Sequence, residues 1–196
     1  MRVKLSGIVL AIVVLGMFGS CKKDTPPPPK DLSEAGHPRI LLLEGEEQKI
    51  HDLIEADETW KKMHLAIIEK STSLLSKPAL ERVMVGRRLL GTSRELLKRI
   101  FYLSYAYRMT GAEQYLNKAE EELVAVSWFD DWNPSHFLDV AEMSLAVALA
   151  LDWTGEDLPA STVATAKAAL IGKGLLAGGG TKAKILGNDN NWNQVC

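Results

Sequence analysis

Asn188, Asp189, Asn190 and Asn191 crowd against Trp192 near the C-terminal end of the sequence. Asparagine is a poor helix former that favours turns and caps. Such a cluster either shapes a turn or offers side-chain amides to a ligand. A second candidate patch is Trp128-Phe129-Asp130-Asp131-Trp132-Asn133-Pro134, followed by Ser135 and His136. Indole rings can stack on sugar faces while neighbouring acids and amides take hydroxyls, which makes Trp132 and His136 candidate substrate contacts. The same residues would equally build an aromatic corner between helices. Arg87, Arg88, Arg94 and Arg99 carry guanidinium forks suited to uronate or sulfate groups; on amphipathic helices they would instead form a solvated face.

Among the acids, Asp130, Asp139 and Glu142 are the candidates for the carboxylate pair of a glycoside hydrolase, which needs a separation of about 5 to 10 Å. With Asp131 they lack calcium-loop spacing, and a place at helix starts, favoured by the macrodipole, accounts for them as well. Tyr102, Tyr105 and Tyr107 could include a base, yet their helical spacing also suits a wall or core. No zinc pattern, phosphate loop or nucleophile elbow is present. Neither a metal nor a cofactor is expected.

These side chains need a scaffold, and the totals allow one domain with a real core. The chain has 196 residues, 46% hydrophobic and 24% charged, and a net charge of -2. That balance gives no reason to expect nucleic acid as a partner. Residues 1–20 read as a signal peptide. Arg2 and Lys4 precede an apolar run from Ile8 to Phe18, shorter than the roughly 20 residues of a spanning helix. Phe18-Gly19-Ser20-Cys21 resembles a lipoprotein box, with Cys21 as the lipidated residue. Residues 21–36 contain Pro26 to Pro29 and read as an extended tether. The expectation is an exported protein of the periplasm or outer membrane, touching the membrane only through its N-terminal lipid.

Residues 37–196 read as all-α. One helix is expected over Glu46–Lys70, with Ile50, Leu53, Ile54, Met63 and Ile67 inward, and a second run over Ala79–Leu90. Thr92-Ser93-Arg94-Glu95 fits a capping box, with Leu96, Ile100, Leu103 and Tyr107 behind it and Gly111 as a left-handed cap. Tyr115, Leu116, Ala119, Leu123 and Val126 mark the next helix. Ser135 would cap a helix over His136–Trp153, and Pro159 would open another running to about Leu176. Ser93 and His136 stand 43 residues apart, more than the roughly 34 of a tetratricopeptide repeat. Consecutive antiparallel hairpins of an α/α toroid or HEAT-like stack suit that spacing.

Several stretches in this order resemble the N-terminal part of the heparinase II/III-like polysaccharide lyases. They are His37-Pro38-Arg39-Ile40-Leu41-Leu42, Ser93-Arg94-Glu95, Ala106-Tyr107-Arg108-Met109-Thr110-Gly111, Asp131-Trp132, Leu138-Asp139-Val140-Ala141-Glu142-Met143 and Leu151-Asp152-Trp153. The resemblance implies part of an incomplete (α/α) toroid, which in that family precedes a β-sandwich. It also implies β-elimination on an acidic polysaccharide, glycosaminoglycan or alginate-like. Asn191 followed by Trp192 matches the family's carboxylate-neutralising position, where an amide donates to the uronate without adding a charge. Spreading charge into that carboxylate stabilises the enolate as the proton leaves. Asn188 falls where some members place a histidine, and Trp192 where others have one. The family's tyrosine and histidine come from later elements, so the chain is expected to be the front of a longer protein, inactive alone. The rival expectations are a non-catalytic glycan-binding lipoprotein and a toroidal glycoside hydrolase.

Overall fold

A computed structural model describes residues 36–179. Among the described residues the regular structure is helical, with no strand beyond one isolated bridge between Val85 and Arg88. The helices are α1 (Glu46–Ala56), α2 (Glu58–Leu74), α3 (Leu90–Thr110), α4 (Glu113–Ser127), α5 (Phe137–Thr154) and α6 (Ala160–Ala169). A π-helical turn, Leu170–Leu175, and a short α7, Leu176–Gly179, continue α6.

The core grows from α3. Leu96, Ile100, Leu103 and Ala106 are fully buried on one side of it, facing Val140, Met143, Ala146, Val147 and Ala150 of α5 in one continuous apolar cluster. Tyr115, Leu116, Ala119, Leu123 and Val126 bring α4 onto the same core, as their spacing predicts. Gly111, at φ 66°, takes the left-handed position that ends α3, and its amide bonds the Tyr107 carbonyl at 2.7 Å. With so short a turn, α3 and α4 form an antiparallel hairpin. The packing then skips one element: α3 lies against α5, and α4 against α6. Two layers result. In the first, α3 and α5 run parallel, since Leu89 before α3 meets Asp139 at the start of α5, whereas Arg108 meets Trp153 at the other end.

Three expectations change. The single helix over Glu46–Lys70 is two helices, because Asp57 leaves the helical conformation (φ -138°, ψ 123°) and its carboxylate caps α2 through Thr59 N and Trp60 N. Leu53 and Met63 are exposed rather than inward. The run Ala79–Leu90 is not a helix but an extended segment. A buried ionic knot pins its start: Glu122 of α4 accepts from Leu80 N (3.0 Å) and Arg99 Nη1 (2.5 Å), with Lys118 at 3.1 Å, while Arg99 also reaches the Pro78 carbonyl. Finally, α3 begins at Leu90, so Thr92 and Ser93 lie within its first turn and no side chain of its own caps it. The capping box does not form.

Ser135 likewise does not cap α5. The capping position is His136, and the Ser135 hydroxyl turns back to Asn133 Oδ1 at 2.7 Å.

Candidate functional site

The residues that could do chemistry gather at the N-terminal ends of α3 and α5. Asp139, in the first turn of α5, is fully buried. Such a charge must be matched by donors, and it has three: Leu89 N at 2.6 Å, Asn133 Nδ2 at 2.7 Å and His136 Nδ1 at 2.8 Å. A carboxylate only accepts, so Nδ1 carries the proton and the imidazole is held in one orientation by a buried acid. Asn133 is the joint of the cluster. At φ 57° it turns the loop sharply, a conformation asparagine tolerates. Its amide donates both to Asp139 and to the Arg87 carbonyl at 2.9 Å. The Gly86-Arg87 turn, closed by paired bonds between Val85 and Arg88, is thereby fixed beside the His136 acid. Gly86, at φ 61°, supplies the left-handed residue this turn needs.

Two of the arginines at this end are paired with acids. Arg94 donates to Glu142 at 3.1 Å, with Ser93 Oγ at 3.4 Å from the same carboxyl group. Arg82 of the extended segment donates to Asp131 at 2.5 Å. Partial burial pushes the Asp131 pKa up, but the Arg82 hydrogen bond, the Asn133 amide and the charges of Arg82 and Lys173 outweigh it, so the group lies below its ordinary value. Lys173, from the π-helical turn, donates to the Ser127 carbonyl at 2.5 Å and to that of Phe129, closing the C-terminal end of α4. Its pKa is lowered, chiefly by burial.

Of the residues singled out by sequence, His136 and Arg94 belong to this end. Trp132 does not present a ring to solvent: it is completely buried and its indole N–H donates to the Val126 carbonyl at 3.1 Å. Its place as a substrate contact is corrected, and the exposed indole of the loop is Trp128, 75% accessible. Arg99 is absorbed by Glu122 and Glu95. Tyr105 meets His64 of α2 at 3.1 Å and has a pKa raised by burial, away from this end. Asn188, Asn191, Trp192 and Cys21 lie outside the described residues. Asn133 was not foreseen; its signal was an asparagine directly before proline and close to a helix start.

The opposite end of α5 holds a second buried acid. Asp152 accepts from Arg39 N, Ile40 N (2.8 Å) and His37 Nδ1 (2.6 Å), and Trp153 Nε1 donates to the Ile40 carbonyl at 2.7 Å. Arg108 stacks over Trp153, its carbon 5.3 Å from the ring centre, and grips Glu47 and the Leu42 and Leu43 carbonyls. His37, Glu47, Arg108, Asp152 and Trp153 line a cavity of about 290 Å³ that also meets Tyr107 and Asp157. Burial first, and then Asp157, raises the Tyr107 pKa.

Among the described residues, no group of three or more His, Cys, Asp or Glu is placed to hold a metal ion. No helix among them is long and apolar enough to cross a membrane. Compared with known proteins, the chain matches no family model and no curated protein.

Proposed function

We propose that residues 37–196 form the N-terminal helical part of a lyase that cleaves uronate-containing acidic polysaccharides by β-elimination, carried on a lipid at Cys21 and exported. Asn191 neutralises the substrate carboxylate, with Asn188 and Trp192 beside it. In this reading His136 and Arg94, at the N-terminal ends of α5 and α3, contact the same substrate, and α3 and α5 belong to an α/α toroid segment. The observation that carries this reading is the buried Asp139, which orients His136 and fixes an arginine-bearing turn beside it. An imidazole ordered by a buried acid suits proton transfer next to an anionic sugar.

Two further features support it. The stretches that resemble the lyases meet in space: Ser93 and Arg94 touch Glu142, while residues 37–40 and Arg108 converge on Asp152 and Trp153. The packing that skips one helix is the arrangement of stacked hairpins. A glycoside hydrolase fits less well, since Asp139 is enclosed by its three donors and Glu142 is engaged by Arg94. A non-catalytic glycan binder draws support from the exposed Trp128.

The test is an assay of the complete product of the reading frame on heparan sulfate and on alginate. Ultraviolet absorbance from unsaturated uronate should rise with the wild type and stay flat with Asn191→Ala. Wild-type rates in that variant remove Asn191 from the mechanism. Binding without any absorbance change in the wild type moves the assignment to the glycan binder.

A further inference from the structure

We propose that Arg87 and Arg88 form an arm that binds an anionic group of the polysaccharide other than the carboxylate undergoing reaction. This rests on the lyase reading above and assigns to that site a second point of recognition.

Three observations carry it. First, the arm differs from the other arginines of the helical region. Arg82, Arg94, Arg99 and Arg108 each pair with a carboxylate, from Asp131, Glu142, Glu122 and Glu47 respectively. Arg87 and Arg88 are both exposed, and neither pairs with a carboxylate among the described residues. In a chain of net charge -2, two adjacent arginines with no paired carboxylate among the described residues are a local excess of positive potential.

Second, the backbone that carries the two arginines is held by hydrogen bonds on both sides. Val85 N donates to the Arg88 carbonyl at 2.9 Å, and Arg88 N to the Val85 carbonyl at 3.2 Å. Asn133 holds the Arg87 carbonyl, and Asp139 holds the amide of Leu89. A backbone fixed on both sides of the two guanidiniums lowers the entropy lost when they close on a ligand.

Third, the anchor is shared with the site. The Asn133 amide that fixes Arg87 also donates to Asp139, the acid that orients His136. The arm and the imidazole are therefore positioned by the same two residues. In the lyase reading the reacting carboxylate is met by an uncharged amide, which leaves the two full charges of Arg87 and Arg88 for a further anion. That anion is a sulfate or the carboxylate of a neighbouring sugar; guanidinium binds either through paired N–H donors.

The experiment measures binding of the 196-residue chain to a heparin oligosaccharide and to an oligomannuronate by calorimetry. The variants are Arg87→Ala/Arg88→Ala and Arg87→Lys/Arg88→Lys, both at exposed positions. The alanine pair should weaken binding to at least one probe by about tenfold, the scale of two exposed ionic contacts, with the lysine pair intermediate. Loss confined to heparin identifies sulfate; loss on both probes identifies carboxylate. Unchanged affinity of the alanine pair for both probes, or a wild type that binds neither, overturns the arm. The absorbance assay with Asn191→Ala reads the lyase assignment separately, so each idea can fail while the other stands.

Discussion

Helix α5 carries a buried aspartate at each end, and the two ends use it differently. Asp139 and Asp152 each accept a histidine Nδ1 and each hold backbone amides from a distant segment. At the first turn, the helix dipole favours the carboxylate; in the last turn, it opposes it. Asp152 therefore depends wholly on its donors, which come from residues 37–40, and the result is a clasp that fastens an incoming chain. Asp139 has the field of the helix on its side. Two of its three donors are side chains, one belonging to the imidazole it orients. The charges around Asp152 are consumed within the fold, with Arg108 committed to two carbonyls, Glu47 and the Trp153 ring. Around Asp139, Arg87 and Arg88 extend outward. The same device serves attachment at one end and presentation at the other.

Replacement of the two acids tests that contrast most severely. Asp139→Ala strands the amide of Leu89, itself fully buried, together with the Asn133 side chain, and removes a favourable dipole interaction. It should cost about 3–4 kcal/mol and lower the thermal midpoint by roughly 10 °C. Asp152→Ala should cost less, about 2 kcal/mol, because Asp152 and His37 line a cavity that water can enter and an unfavourable dipole interaction is relieved. Thermal denaturation of both variants measures the order, and a larger loss for Asp152→Ala would break the comparison.

The smallest effect concerns pH. Asp131 has a lowered pKa in the folded chain. Its contribution is therefore present above the unfolded value of about 4 and lost as pH falls through the lower folded one. Both partners are substantially exposed, so the gain is only about 0.5 kcal/mol. Arg82→Ala should be slightly less stable than wild type at pH 7 and equal to it near pH 2, read by denaturant unfolding.

The hairpin α3–α4 was legible because its apolar spacing runs unbroken to Gly111, and all five of the inward positions of α4 are buried. The break at Asp57 was not, since a helical period can continue across a single capping residue. The extended segment did carry a signal. Leu80, Arg82 and Met84 are half-buried while Glu81, Val83 and Val85 are exposed, an alternation of period two. Mixed polar and apolar residues on each face hid it. Thr92 and Ser93 misled because a hydroxyl within a first turn looks the same in sequence as one at the cap. The contact that replaces them comes from Asp139, fifty positions away, and no local pattern reports such a partner. Trp132 was misplaced for a related reason, because an aromatic loop next to acids reads alike whether its rings face outward or inward. Of the candidate site, the sequence showed His136, Arg94 and Asp139 as separate candidates, but neither the bond from His136 to Asp139 nor the part played by Asn133.

The π-helical turn at Leu170–Leu175 has a consequence for insertions and deletions. A wide turn of this kind accommodates a residue beyond the α-helical count. Deleting one residue there would let the segment rewind as ordinary α-helix while Leu176–Gly179 keep their angular position about the axis. Lys173 would be carried away from the carbonyls of Ser127 and Phe129 that it now closes. The extra residue thus serves the Lys173 contact rather than the course of the helix.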